Sequence, residues 1–250
     1  MDPTTTFRPT ARTKARRRTK RVFHDEAAVF AVLDTAMLAH IGYVIDGQPF
    51  VTPTVFWRDG RTLYWHGSAA SRMLRSCHDA PVCLTVSHLD GLVFDRSGFH
   101  HSANYRSVMA FGRARLIKDN AAKRVALDAM IQRLYPGHVA SLRPATLAEL
   151  KQTAFVTMEI EEASVKTRSG GPSAALDIDV GWNGWRGEIP VETRIATPRP
   201  DPDNGDHRGL PPELCHLGPG CRLDRALAMA AGVASDIADS NDVPDQPIPN

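Results

Sequence analysis

Three Asp-Gly pairs, Asp46-Gly47, Asp59-Gly60 and Asp90-Gly91, punctuate a run of β-rich segments between residues 37 and 96. Asp-Gly between alternating apolar residues is a strong short-range hairpin signal, because left-handed central residues match the twist of the flanking strands. The pairs therefore predict strands over Met37–Ile45, Phe50–Trp57 and Arg61–Trp65 as a meander, and Val82–His88 joined by a turn to Leu92–Arg96. Further strands are expected at Ser107–Ile117 and at Ala154–Ile160, the latter with a possible extension to Val165. Helical spacing falls between them. Asp25 can cap a helix running through Thr35, Ala69–Cys77 forms a short piece, Ala121–Tyr135 stops at Pro136-Gly137, and Leu147–Gln152 adds a turn or two. Six to seven strands joined mostly by hairpins, with helices inserted, predict a mainly β, α+β chain built on a small antiparallel barrel. A parallel doubly wound sheet is disfavoured, and neither GxGxxG nor GxxxxGK[ST] occurs.

The barrel domain is expected over residues 22–190, since ten of the 18 prolines lie at or beyond Pro190. Residues 191–250 then read as a Pro/Gly-rich tail, loose from Ile195 to Pro219, with a helix possible over 222–239. Residues 1–21 read as a disordered basic arm. Residues 1–24 carry eight Lys or Arg against one Asp, while the remainder carries 22 basic and 27 acidic side chains. A basic arm can contact nucleic acid, but nothing downstream reads as a nucleic-acid fold, so a solvated leader is the preferred reading. No stretch is apolar over the ~18 residues a membrane span needs, and the N-terminus lacks an apolar signal region, so a cytoplasmic protein is expected. Cys77, Cys83, Cys215 and Cys221 are too scattered for a disulfide framework and read as reduced thiols. Cys215 and Cys221 with His207 and His216 lack a CxxC pair, which argues against a metal.

The most informative stretch is PFVTPTVFWRDGRTLYWHGSAASRMLRSCHDAPVC, from Pro49 to Cys83. Two strands end at a predicted helix start bearing Ser68, Ser71 and Arg72, where free N–H groups and a guanidinium fork would receive a phosphate. An ordinary capped turn is the competing reading. The order of strand, His66-Gly67-Ser68, Ser71-Arg72 and apolar strand resembles the FMN-binding split-barrel family of pyridoxamine 5′-phosphate oxidase. Within it, the flavin-nucleotide-binding and nitroimidazole-resistance branch is most similar. The Arg-rich lead into Val22-Phe23, the Asp46-Gly47-Gln48-Pro49 hairpin, HHSANYRSVMAFGRA from His100 to Ala114, and Trp185-x-Gly187-x-Ile189-Pro190 match the same branch.

The resemblance implies a split barrel binding FMN non-covalently at the interface of a homodimer. It places the FMN phosphate on Ser71 and Arg72, helped by His66, Gly67 and Ser68, and the flavin ring along Val51, Thr52, Pro53 and Thr54. Oxidases of this fold carry Lys after the Ser-Arg pair, where this chain has Met73, which weakens the claim to pyridoxamine-phosphate oxidation. His66 matches a histidine beside the active site of the nitroimidazole-resistance relatives and is the catalytic candidate as a proton donor; a phosphate-facing hydrogen-bond donor is the alternative. His100, His101, Asn104, Tyr105 and Arg106 form the densest polar cluster. If extended, its two histidines point to opposite faces, so lining the flavin pocket is preferred to binding metal. Lys166 and Arg168 are expected to approach the cofactor or substrate anion, and Trp185 either to reach the partner's flavin or to close the barrel end.

The functional expectation is an FMN-dependent oxidoreductase acting on a small organic substrate, with a nitro-aromatic compound as the candidate. A flavin-sequestering module without turnover is the first alternative. Haem binding, which some split-barrel relatives show, is the second, with His66, His100 or His101 as the axial ligand.

Overall fold

A computed structural model describes residues 5–17, 19–173, 177–204 and 209–233. The strands are β1 (Val22–Phe23), β2 (Leu38–Ile45), β3 (Gln48–Asp59), β4 (Thr62–Ser68), β5 (Ala80–Phe94), β6 (Ser102–Ile117), β7 (Thr153–Glu159), β8 (Glu162–Arg168) and β9 (Gly187–Pro190). The helices are α1 (Glu26–Leu33), α2 (Arg72–Ser76), α3 (Asn120–Leu134), α4 (Leu147–Gln152) and α5 (Leu223–Ala230). All strands join one antiparallel sheet in the order β1-β8-β6-β7-β4-β3-β2-β5-β9, and β6 also pairs with β5. That extra pairing closes six strands into a barrel and makes the whole a split barrel of nine strands rather than six or seven.

The split lies along two long strands. One edge of β6 pairs with β5, while the other carries β8 over Tyr105–Phe111 and then β7 over Ala114–Ile117. Strand β5 divides likewise, with β2 along Cys83–Thr85 and β9 along Gly91–Phe94. Between the two partners of β6 sits Gly112, where a Cβ would come within 2.2 Å of the Glu159 carbonyl oxygen. Only a residue without a side chain lets the backbones cross that closely.

Two of the three Asp-Gly pairs make the expected hairpins. Asp46 and Gly47 both have positive φ (52° and 77°) as the two-residue loop between Ile45 and Gln48, and Gly60 (53°) opens the loop between Asp59 and Thr62. The third does not turn the chain. Asp90-Gly91 sits at a β-bulge inside the continuous strand β5, correcting the two strands expected there. Its glycine serves close approach: a Cβ on Gly91 would lie 3.2 Å from the Ile189 carbonyl of β9. A second correction is the end of the chain's last predicted strand. Ile160-Glu161 turns it back, with Ile160 N–H bonded to Arg61 O (2.9 Å) and Glu161 N–H to Phe111 O (3.0 Å).

The barrel interior is filled by alternate residues such as Ile41, Phe56, Leu63, Trp65, Leu84, Val108 and Met158, and α1 plugs one end with Val29, Val32 and Leu33. A smaller cluster, Trp57, Ala126, Met130, Leu134, Phe155 and Leu227, joins α3 and α5 to the outside of the barrel. Asp34, buried at the end of α1, receives Arg58 Nε and Arg133 Nη2, each at 2.9 Å, and so ties β3 and α3 to that helix.

Both flanks expected to be loose are packed where the structure describes them. Phe7 is buried against the edge of Phe30, and Arg12 pairs with Glu162 while lying 4.9 Å from the Phe111 ring centre. One arginine of the arm thus serves the fold. Beyond β9 the chain returns: Ile195 N–H bonds to Cys221 O (2.9 Å), Leu223 N–H bonds to Thr193 O (2.9 Å), and α5 buries Leu227 against α3. The apolar contacts of Phe7 and Leu227 outweigh the local polar and Pro/Gly composition that pointed to disorder. His207 and the part of the expected helix past residue 233 lie outside the described residues. Among the described residues no helix is long and apolar enough to cross a membrane.

Candidate functional site

The predicted site residues fall into two places on one chain. The first is the cradle where β3, β4 and α2 meet. Thr54 Oγ1 donates to His66 O (3.4 Å), keeping the two strands together beyond their paired segment. Thr52 Oγ1 shares a hydrogen bond with Tyr43 OH (3.1 Å), while Val51 and Pro53 face outward and are exposed. Gly67 admits α2 closely, since a Cβ there would lie 3.1 Å from Leu74 Cδ1.

Helix α2 has only five residues, so its dipole is small, and the side chains carry the chemistry. Ser68 Oγ is used internally, accepting from Ala70 N–H (3.2 Å), whereas the Ser71 hydroxyl caps nothing. The exposed Arg72 guanidinium lies 4.6 Å from the centre of Phe50, which is itself stacked on Tyr43 at 5.6 Å. Among the described residues no carboxylate pairs with Arg72, and a ring-supported guanidinium beside a free hydroxyl suits an anionic oxygen group. Phe50 was missing from the predicted site. A lone aromatic in a strand reads as core, and only folding brings it under Arg72.

His66 stands beside this cradle. Its ring stacks on Phe155 (5.6 Å, 24°) and tilts against Trp57 (6.2 Å), and its Nδ1 is buried without a hydrogen-bond partner. Burial pushes its pKa below the ordinary imidazole value, so the ring is neutral at neutral pH and keeps one nitrogen able to take or pass a proton.

The second place is the flared end of the β5–β6 ribbon. Buried Asn104 donates to the Glu188 carboxylate and accepts from Arg168, which also donates to Gly170 O (2.9 Å) and Gly171 O (3.1 Å). Arg106 Nη2 bridges Asp90 (2.8 Å) and Asp224 (3.0 Å). Burial pushes the Asp224 carboxyl up, but the hydrogen bonds and charges of Arg222 and Arg106 outweigh it and hold it down at about 2. Asp90, Asn104, Arg106, Arg168 and Glu188 edge a cavity of about 1150 Å³ that the returning C-terminal segment also lines through Cys215, His216, Arg222 and Arg225. Sequence reasoning named Asn104, Arg106 and Arg168 but missed the C-terminal lining, because the segment holding it reads as a loose tail.

The other candidates spread out. Lys166 is exposed, 5.9 Å from the Tyr105 ring centre, on the outer face of β8. Trp185 packs its edge on Phe94 (5.6 Å) and covers Gly187, where a Cβ would come within 2.6 Å of the indole, so it caps the end of β9 in its own chain. His100 lies in a 3₁₀ turn, Gly98–His100, rather than in a strand. It meets Phe99 edge-on, whereas His101 meets Phe94.

A family model described as pyridoxamine 5′-phosphate oxidase matches residues 25–167, from the N-cap of α1 to within β8. The chain belongs to the pyridoxamine 5′-phosphate oxidase family. Two solved structures are similar over a greater length than that family's model. The flavocytochrome Anf3 from Azotobacter vinelandii is 40% identical, with a TM-score of 0.78, covering 85% of this chain and 99% of its own. The FAD and haem binding protein from Mycobacterium smegmatis is 35% identical, with a TM-score of 0.75, covering 81% of this chain and 98% of its own. Coverage of that size carries the likeness beyond residues 25–167. No curated protein matches.

Proposed function

We propose that this chain is a flavoprotein oxidoreductase that holds haem as well as flavin and passes electrons between them and a small acceptor. The observation that carries the reading is near full-length similarity, at 40% and 35% identity, to a flavocytochrome and to an FAD and haem binding protein. The two-site layout supports it. One chain offers an anion-ready cradle at Ser71 and Arg72 and a separate arginine-edged cavity of about 1150 Å³, room for two groups rather than one.

In this reading Ser71 and Arg72 would grip a flavin phosphate, the backbone of Val51–Thr54 would line the ring, and His66 would hold or move a proton beside it. The flavin supplies the redox chemistry; the protein supplies binding, orientation and proton traffic. FMN is what the resemblance implies, and FAD carries the FMN phosphate within a diphosphate that links it to adenosine.

A homodimer is part of the proposal. Cross-strand register lays Pro53, His40, Thr85 and Met109 in one outward row, with Val51, Gly42, Cys83 and Phe111 in the next. Exposed Leu38, Val44, Val51 and Met109 make this side of the barrel apolar, as a self-complementary interface requires.

The test is the absorption spectrum and cofactor content of the purified full chain. Two broad flavin bands together with one sharp haem band support the reading, and mass spectrometry of the released flavin separates FMN from FAD. Flavin bands alone reduce the function to flavin binding. A colourless protein that takes up neither cofactor ends it.

A further inference from the structure

We infer, independently of the cofactor reading above, that the end of β8 from Thr167 to Gly170 is a phosphate site, and that the cavity it lines takes a phosphorylated small molecule of nucleotide size.

The cavity has the charge and the room for such a ligand. Among the described residues five arginines and three carboxylates line it, which leaves an excess of positive charge. Its volume, about 1150 Å³, exceeds what most drug-sized ligands need. Three of the arginines already have acidic partners. Arg106 is held by Asp90 and Asp224, Arg194 by Glu192, and Arg222 by Glu192 and Asp224.

Arg168 differs from these. Its Nη1 donates to Asn104 Oδ1 and to Gly170 O (2.9 Å), and its Nη2 donates to Gly171 O (3.1 Å). All three acceptors are neutral, and no carboxylate meets the guanidinium among the described residues. A guanidinium has five N–H donors; two of them remain for an incoming oxyanion, and the contacts already made hold the planar group in place. Ordering that is already present in the free protein is not charged against binding. A charge-assisted pair with a phosphate would supply the counter-charge that the fold leaves out.

The neighbours of Arg168 add hydroxyl donors. Thr167 and Ser169 line the same cavity, and neither hydroxyl has a hydrogen-bond partner among the described residues. Gly170 follows with φ 85°, a left-handed conformation that suits glycine, and a Cβ there would meet nothing within 4 Å, so a ligand can come close to the backbone. The rest of the cavity is not all polar. Ala226 and Met229 of α5 line it together with Pro190 and Val191, an apolar wall that inorganic phosphate would leave unused and the organic part of a nucleotide would cover.

The experiment titrates the purified full chain, with whatever cofactor it retains, with ADP, inorganic pyrophosphate, adenosine and citrate in a calorimeter. ADP should bind, pyrophosphate more weakly, and adenosine and citrate more weakly still. Arg168→Gln removes the charge and should weaken ADP about ten- to a hundredfold. Ser169→Ala, an exposed loop position, removes one neutral donor and should weaken it about two- to tenfold. An unchanged melting temperature in Ser169→Ala keeps that result separate from any misfolding of Arg168→Gln. Arg72→Ala should leave ADP affinity as it is; if ADP is lost there and retained in Arg168→Gln, the phosphate sits on the flavin cradle and the inference fails while the cradle stands. Citrate binding as tightly as ADP would overturn the preference for phosphate, and pyrophosphate binding as tightly as ADP would overturn the nucleotide size. No binding of either phosphate compound ends the proposal without touching the cofactor reading.

Discussion

At the scale of single residues the cradle rests on Arg72. Its guanidinium is held over Phe50 and has no carboxylate to satisfy it among the described residues, so a bound phosphate would gain a charge-assisted contact at little cost in ordering the side chain. Arg72→Ala is expected to lower flavin affinity by about 1.5–3 kcal/mol, roughly ten- to a hundredfold; fluorescence titration of apoprotein with FMN and FAD measures it, and an unchanged Kd would move the phosphate elsewhere. A pH effect follows from His66 and His88. Burial lowers both pKa values from 6.5, and His88 is further lowered by Arg106. A depressed imidazole pKa means the unfolded chain binds the proton first. Stability is therefore full above the ordinary value of 6.5 and declines as the pH falls below it. Urea midpoints at pH 7.5 and at pH 5.5 should show the decline, and His66→Phe should flatten it; a midpoint that rises on acidification would contradict the burial argument.

At the scale of elements, β6 is the strand on which the split depends, and Gly112 is its weakest point for substitution. A methyl there meets the Glu159 carbonyl at 2.2 Å and the Met158 side chain at 2.7 Å, so β7 must move or β6 must bend. Overpacking of this kind costs about 1–3 kcal/mol, and against backbone the upper end applies. Gly112→Ala should thus lower the melting temperature by several degrees in differential scanning calorimetry, whereas the wild-type value would mean that the strands have room to part. Elements also show where local signals mislead. Asp46-Gly47 turns the chain as its composition demands, but Asp90-Gly91, the same dipeptide, stays within β5 at a bulge, where Arg106 engages the aspartate and β9 passes over the glycine. The β7–β8 turn carries no turn residues at all and is made by backbone bonds to Arg61 and Phe111.

At the scale of the whole molecule, the outward rows across β3, β2, β5 and β6 form a face on which Leu38, Val44, Val51 and Met109 are exposed. The proposed second copy would cover them, and the resemblance implies that flavin in this family lies at the interface of a homodimer. Sedimentation should give twice the chain mass for wild type, and Met109→Asp, an unpaired charge on that face, should yield monomers with reduced flavin content. A wild-type monomer that holds flavin fully would remove the interface from the proposal.

Much of this was legible from the chain alone. Alternating β runs, a cap such as Asp25, and Pro136-Gly137 act over a few residues, so barrel class and helix positions follow from local chemistry. What joins residues far apart in sequence was decided only by folding: the ninth strand, the split at Gly112, Phe50 beneath Arg72, and the return of the C-terminal segment over Asn104, Arg106 and Arg168. The physical reason is that such contacts draw on burial and close approach between segments far apart in sequence, 118 residues in the case of Arg106 and Asp224. No window of sequence contains both partners, and a tail rich in proline and glycine gives no local sign that Leu227 has a core waiting for it.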